Sequence, residues 1–255
     1  MKKIFLILIP VLFSCGETKN INETSTEIKN DTVGIINASS AISFDDKLFK
    51  QLQFPLLIDT TFIQKCDTNE RVTYELVRHL GSEILKHEVF NSLSYQMNTF
   101  CEIDSLKQDG TYEDYVKKLD IGMTKTSIAF RIGMLSLANN SKLFLWGIES
   151  SSYEACPFHS GKTIVATFVN ENKINTHFII GELFSAGDPP SMMNKEINSQ
   201  LLLDGKIEIK CITINDDIDV PGEETTTELL KLSYSGGKIV VEDFKREIKN
   251  TEKPN

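Results

Sequence analysis

The sequence lacks the short motifs that mark the common enzyme classes. It contains no P-loop, no G-x-G-x-x-G, no G-x-S-x-G, no H-E-x-x-H and no C-x-x-C. These absences leave the sequence without a phosphate-binding loop, a dinucleotide-binding turn, a serine nucleophile elbow, a zinc-protease helix and a paired thiol motif. No single motif therefore supports an enzyme.

Long apolar runs and basic residues are also scarce. After the N-terminus no segment stays apolar for 18 residues, so the sequence predicts no later membrane-spanning helix. The chain carries 27 Lys and Arg against 36 Asp and Glu, a net charge of -9. This acidic balance argues against nucleic acid as a partner and against docking on anionic lipid headgroups.

The N-terminus combines a basic start with a short apolar run. Lys2 and Lys3 precede residues 4–13, a ten-residue run that suits the h-region of an export signal but falls short of the roughly 20 residues of a spanning helix. The run ends in LFSC, with the small residue Ser14 directly before Cys15. This arrangement resembles the lipobox of bacterial lipoproteins.

The resemblance implies that residues 1–14 are a signal peptide that is removed and that Cys15 is lipidated. A diacylglyceryl thioether with an amide-linked chain such as palmitate buries many methylenes at ~0.8 kcal/mol each, enough for stable anchoring. The mature protein is expected to be anchored in a membrane of the bacterial cell envelope without spanning it. Loss of Lys2 and Lys3 lowers the net charge from -9 to -11, with 25 basic and 36 acidic residues.

The residues behind Cys15 predict a flexible connection. Residues 15–40 are rich in Asn, Thr, Ser, Glu and Lys and have no apolar periodicity, which indicates a disordered tether. Lipoproteins of the Bacteroidota that reach the cell surface carry an acidic cluster just after the cysteine, whereas Glu17 stands alone here. The resemblance therefore favours a periplasm-facing position over a surface-exposed one.

The remaining chain predicts one α+β domain over residues 41–250, followed by a disordered tail at 251–255. Residues 41–117 are expected to supply an extended segment and helices. Residues 118–250 change to a period of two with many β-branched and aromatic residues, which is typical of strands. We expect the helices to pack against one antiparallel sheet.

The predicted helical part begins with an extended segment. Pro55 interrupts the first apolar segment, residues 49–64, and argues against a helix there. Its FP…ID pattern resembles uncharacterised exported lipoproteins of the Bacteroidota, a resemblance that implies no known activity. Apolar residues at i, i+4 spacing then predict a helix over 69–90, and residues 92–106 a second helical piece.

Four tight turns divide the rest of the chain into hairpins. Their sequences suit the positive φ of two-residue turns, and each is followed within a residue by a lysine: Lys142, Lys173, Lys206 and Lys238. The lysines are 31, 33 and 32 residues apart, which predicts a meander of about eight strands. Sequence alone leaves a half-barrel, a closed barrel and propeller-like blades open.

Longer connections are predicted at the other end of the hairpins, at residues 150–161, 185–196 and 215–227. Such loops commonly carry binding residues. The candidate residues of this binding rim are Tyr153, His159, Asp188, Met192 and Met193.

With Cys15 lipidated, four cysteines remain in an oxidising compartment, where disulfides persist. The simplest pairing joins Cys66 to Cys101 and Cys156 to Cys211. Buried free thiols are the alternative, because cysteine is readily buried as a small hydrophobe.

Two further patterns suggest chemistry at the rim. Cys156 with His159 or His177 would suit a hydrolase that uses a cysteine nucleophile. The acidic loop at 216–228 offers carboxylates that suit Ca²⁺, with these candidate ligands: Asp216, Asp217, Asp219 and Glu223.

The sequence thus predicts a cell-envelope lipoprotein whose domain is a non-enzymatic binding or scaffolding module. No catalytic residue is assigned, and no cofactor is predicted apart from the possible calcium. The expected partners are the membrane, through the lipid anchor, and an envelope protein or small ligand. The alternative is a periplasmic hydrolase that uses Cys156, His159 and His177, or a metal at the acidic loop.

Overall fold

The computed structural model describes residues 46–72, 84–92, 125–152, 158–171, 173–188, 191–216 and 222–251. These ranges fall in one compact unit, Ser40–Asn255. The α-helix and strands are, in chain order, β1 (Leu56–Ile58), α1 (Thr60–Lys65), β2 (Lys125–Ser136), β3 (Lys142–Ser152), β4 (Phe158–Asn170), β5 (Lys173–Asp188), β6 (Ser191–Leu201), β7 (Ile207–Asp216), β8 (Glu223–Ser235) and β9 (Lys238–Thr251).

The strands form one antiparallel sheet. Each strand from β2 to β9 is hydrogen-bonded to the next along the chain, and β1 pairs with β6 as an addition to this order. The predicted meander of about eight strands is therefore confirmed. The sheet is not closed, because β2 and β9 lie at opposite ends of the strand order, so the closed-barrel alternative is wrong.

The predicted hairpin turns are confirmed. Residues with positive φ occupy all four: Asn139 and Asn140 in the first, Glu171 in the second, Gly205 in the third, and Gly236 with Gly237 in the last. Glycine and asparagine tolerate this conformation best. Three of the four lysines that follow the turns begin a strand, and the fourth directly precedes β7.

The predicted rim loops are shorter than the sequence suggested. The strands extend into them: β3 reaches Ser152 and β4 begins at Phe158, β5 reaches Asp188 and β6 begins at Ser191, and β7 reaches Asp216 and β8 begins at Glu223. Between β5 and β6 the paired positions reach Asp188 and Ser191, so the segment SAGDPPSMMNKE is mostly strand. Its composition resembles that of a loop, but the backbone pairing of the hairpin continues through residues 185–188 and 191–194.

The α part of the predicted α+β fold is small among the described residues. It consists of the six-residue α1 and two short 3₁₀ turns, Asp46–Leu48 and Glu88–Phe90. Half of the predicted helix over 69–90, residues 73–83, and nearly all of the piece over 92–106 lie outside the described residues.

Apart from the 3₁₀ turn Glu88–Phe90, the described ends of the predicted helix over 69–90 bond to strands instead. The N–H of Val72 donates to Ala129 O on β2 at 3.0 Å, and the N–H of Leu85 donates to His177 O on β5 at 2.8 Å. These partners replace the i−4 carbonyls that a helix would supply, so the helix prediction is wrong at both ends.

The cross-strand register shows which side chains share a face of the sheet near its rim, because residues directly opposite each other on paired strands lie on the same face. One row across β4–β9, here named the Glu182 face, contains Thr163, Glu182, Ile197, Cys211, Glu228 and Arg246. The alternate row across β3–β7, here named the Lys162 face, contains Glu149, Lys162, Leu183, Glu196 and Ile212.

The N-terminal segment covers part of the Lys162 face. Ile58 of β1 and Ile63 of α1 are fully buried, and a Cβ at Gly181 would meet Ile58 Cγ2 at 2.6 Å. Gly181 thus permits the close approach of the segment to β5. Asp59 caps α1 by accepting the N–H of Phe62 at 2.8 Å, and Thr60 Oγ1 donates to Glu196 Oε1 at 2.8 Å.

Candidate ligand-binding site

The structure brings together only some of the residues predicted at the rim. His159 and Met193 line the same cavity; His159 is buried on β4, not in a loop. Asp188 is exposed at the end of β5, and Met192 lies opposite Gly187 in the β5–β6 hairpin. Tyr153 lies outside the described residues.

The cavity has a volume of about 630 Å³ and lies at the rim end of the Glu182 face. Segment 84–92 crosses this face and forms one wall through Glu88, Asn91 and Ser92. Apolar side chains form a second wall: Phe158, Phe184, Ala186 and Met193. Charged side chains from three strands complete the lining: Lys195, Glu228 and Arg246.

Lys195 and Glu182 form a buried ion pair beside the cavity. Lys195 Nζ lies 3.4 Å from Glu182 Oε2 and donates to Val89 O at 2.7 Å and to Ser92 Oγ at 3.0 Å. Ser92 Oγ donates to Glu182 Oε2 at 2.7 Å, and Thr163 Oγ1 donates to Glu182 Oε1 at 2.8 Å. This network fixes segment 84–92 to the sheet, since buried charges require such partners.

Glu228 and Glu88 share one arginine on the same face. Arg246 Nη2 lies 3.2 Å from Glu228 Oε1, and Arg246 Nη1 lies 3.2 Å from Glu88 Oε1. The side chain of Glu228 is only 6% exposed, and its buried Oε1 atom makes this ion-pair contact without the alignment of a hydrogen bond. Glu228 is therefore a buried carboxylate whose hydrogen-bonding capacity the protein leaves largely unused.

Sequence reasoning named His159 and Met193 and placed Glu228 in the acidic loop, but it missed Lys195 and Arg246 of the lining and the neighbouring Glu182. Glu228 is in phase with Leu230 and Leu232 on β8, and Glu182 sits inside the apolar run IIGELF. Charges at inward positions of strands are the signal that would have found them. The sequence analysis instead predicted a site from the composition of the loops at the rim.

A second cavity of similar volume, about 630 Å³, lies at the rim end of the Lys162 face. Its polar side chains stand opposite one another on four strands: Ser151, Ser160, Ser185 and Asn194. Lys162 makes an ion pair with Glu149 at 3.1 Å there, and the Glu149 side chain is 47% exposed. Since these charges are closer to solvent, the cavity on the Glu182 face is the stronger candidate for a site.

His177 belongs to the core and not to a catalytic pair. Its Nδ1 atom lies 2.8 Å from Thr167 Oγ1, which accepts the Trp146 Nε1–H at 2.9 Å. Burial lowers the pKa of His177 to about 3, which keeps the imidazole neutral. His159 and the residue opposite His177, Thr167, are eight positions apart on β4, about 27 Å at a strand's rise per residue.

This separation means that His159 and His177 cannot serve one active site. Cys156, the proposed nucleophile, lies outside the described residues. The hydrolase alternative therefore loses its second histidine, and His177 also lacks the accessibility and basicity of a general base.

The cysteines and the acidic loop are only partly described. Cys66 and Cys211 are free thiols in the structure, and burial raises the pKa of each to about 11. Cys101 and Cys156 lie outside the described residues, and the pairing of the four stays a prediction.

The calcium site also stays a prediction. Asp216 and Glu223 lie opposite each other where β7 and β8 end, while Asp217 and Asp219 lie outside the described residues. Among the residues that are described, no three His, Cys, Asp or Glu side chains group closely enough to hold a metal ion.

The fold and cavity define this chain as an open antiparallel meander with a charged, partly apolar pocket at its rim. Comparison with protein-family models, curated proteins and solved structures finds no match. In the part of the chain that is described, no helix has the length and apolarity needed to cross a bilayer.

Proposed function

We propose that the protein is a lipid-anchored cell-envelope protein whose domain binds a small amphipathic ligand without transforming it. The observation that carries this proposal is the cavity of about 630 Å³ that joins an apolar wall to buried charges. Pockets of this size and mixed lining are typical of small-molecule sites. The anchor rests on the lipobox resemblance at Cys15.

The shape proposed for the sheet is a half-barrel. Contacts between distant hairpin turns support this curvature: the hydroxyls of Ser141 and Tyr234 lie 2.9 Å apart, and Asn175 Nδ2 donates to Gly237 O at 2.9 Å. The first and last hairpins thus meet at the turn end.

The binding function can be tested by filling the cavity. We expect native mass spectrometry of the chain purified from envelopes to detect a bound small molecule in the wild type. Met193→Trp should lose it, because the indole would occupy the space beside Phe184. Leu229→Trp is the matched control, since Leu229 is 44% exposed and outside the cavity lining. The same bound species in all three proteins would contradict the proposal.

The anchor has its own test. Cys15→Ala should move the protein from the detergent phase to the aqueous phase on Triton X-114 partitioning, because the acyl chains would be absent. Unchanged partitioning would contradict lipidation at Cys15.

A further inference from the structure

We infer that the ligand of this cavity is an organic ammonium compound, an apolar group that carries a protonated amine. This inference rests on the proposed binding function and names the chemical class of the ligand. It follows from which hydrogen-bonding groups around the cavity are already used and which are left.

The two cations at the cavity are engaged by the protein. Lys195 Nζ has three oxygen neighbours, Val89 O, Ser92 Oγ and Glu182 Oε2, at 2.7, 3.0 and 3.4 Å. These match the three N–H groups of an ammonium. Arg246 is divided between Glu88 and Glu228, each at 3.2 Å. An anionic ligand would have to displace a carboxylate from one of these cations.

The carboxylates keep unused capacity. Three of them, Glu88, Glu182 and Glu228, face two cations, so the group has a formal charge of -1. Glu182 is enclosed by Ser92, Thr163 and Lys195, whereas Glu228 has Arg246 as its ion-pair partner at 3.2 Å. A carboxylate has about four lone-pair sites. Among the described residues Arg246, which Glu228 shares with Glu88, is its ion-pair partner, so lone-pair sites of Glu228 stay open to a second positively charged donor.

The apolar wall of the cavity indicates that the rest of the ligand is apolar. Phe158, Phe184 and Met193 line the cavity with Glu228, so an apolar body can rest on them while its amine meets the carboxylate. Aromatic faces also favour a nearby cation. An alkyl or arylalkyl amine matches both walls.

The test uses three probes that differ only in their polar end: 4-phenylbutylamine, 4-phenylbutan-1-ol and 4-phenylbutyrate. Equilibrium dialysis of the purified full chain at pH 7 should show the amine bound at least about tenfold more tightly than the alcohol, with the carboxylate weakest. Glu228→Gln should bring the amine to the affinity of the alcohol and leave the alcohol unchanged. Glu208→Gln, an exposed carboxylate on β7, is the matched control.

The outcomes separate the two proposals. Two outcomes would overturn the ligand class and leave the binding function intact. In the first, all three probes bind equally and Met193→Trp abolishes their binding. In the second, Glu228→Gln keeps the wild-type affinity for the amine. Failure of every probe to bind would count against both. Should Glu228→Gln not fold, Glu88→Gln replaces it, since the Glu88 side chain is 45% exposed; a severalfold loss for the amine alone is expected, and no loss would overturn the inference.

Discussion

The two faces of the sheet are buried by different means. The Lys162 face is covered by an apolar N-terminal segment, in which Ile58 and Ile63 are fully buried against Gly181 and Ile164. The Glu182 face is covered at the rim by segment 84–92, which is fixed there by buried charges and hydroxyls. Alternate residues of the same strands thus meet two different environments.

This difference in how the two faces are buried indicates where a functional site lies. Apolar packing stabilises the fold directly, whereas a buried ion pair costs desolvation that an apolar pair of similar volume avoids. The protein nevertheless keeps Lys195, Glu182 and Glu228 on the Glu182 face. This costly polar set borders the cavity, and buried charges beside a cavity indicate a candidate functional site.

The largest loss of stability is expected from removing the buried ion pair that fixes segment 84–92 to the Glu182 face. Lys195→Met leaves Glu182 as an unpaired buried carboxylate and removes the donors to Val89 and Ser92, so urea unfolding should show a loss of about 3–5 kcal/mol. The double variant Glu182→Gln with Lys195→Met removes both charges and should lose less than the single variant. A double variant that is less stable than Lys195→Met would contradict the desolvation argument.

The apolar covering should yield the next largest effect. Ile63→Ala creates a cavity between α1 and the sheet, and we expect it to cost about 2–5 kcal/mol. The matched control is Ile248→Ala on β9, where the side chain is 55% exposed and the expected change stays within about 0.5 kcal/mol. Equal losses at the two positions would show that the N-terminal segment does not pack on the sheet as described.

The sheet and its cavity differ in how far the sequence could predict them. The meander and its turns were predictable, because two-residue turns need residues that accept positive φ, such as Asn140 and Gly205, and because the strand period is two. The cavity was not, because its contacts join distant positions. Ser92 and Glu182 are 90 residues apart, and Lys195 and Val89 are 106 apart.

The rim illustrates the same limit within one hairpin. Asp188 and Ser191 are paired residues of β5 and β6, although their surroundings have the composition of a loop. Which residues of a long hairpin remain paired depends on the partner strand, β7 in this case, and a single strand's sequence does not carry that information.

A smaller, pH-dependent effect is expected from the core of the sheet. The pKa of His177 is lowered to about 3 in the folded protein against the ordinary value of about 6.5 in the unfolded chain. Below pH 6.5 the unfolded chain therefore binds a proton that the folded chain does not. Stability should be complete above pH 6.5 and fall by about 1.4 kcal/mol per pH unit toward pH 3 from this group.

Urea unfolding at pH 7, 6 and 5 can isolate this contribution. His177→Gln should be less stable than the wild type at pH 7, yet its stability should change less between pH 7 and pH 5. An unchanged pH slope in His177→Gln would contradict the assignment of His177 as a buried neutral imidazole.

The smallest expected effect is a difference in the labelling rate of two cysteines, one on each face of the sheet. Cys66 follows α1 and is partly exposed, whereas Cys211 is fully buried in the row of Glu182. Because burial raises the pKa of both thiols to about 11, only ~0.1% of either is thiolate at pH 8. In the reduced protein, iodoacetamide should therefore label both slowly in the folded state and quickly in urea, with Cys66 ahead of Cys211 because its thiol is closer to solvent. Peptide-level mass spectrometry resolves the two sites, and labelling of Cys211 at the unfolded rate would mean that the Glu182 face opens under native conditions.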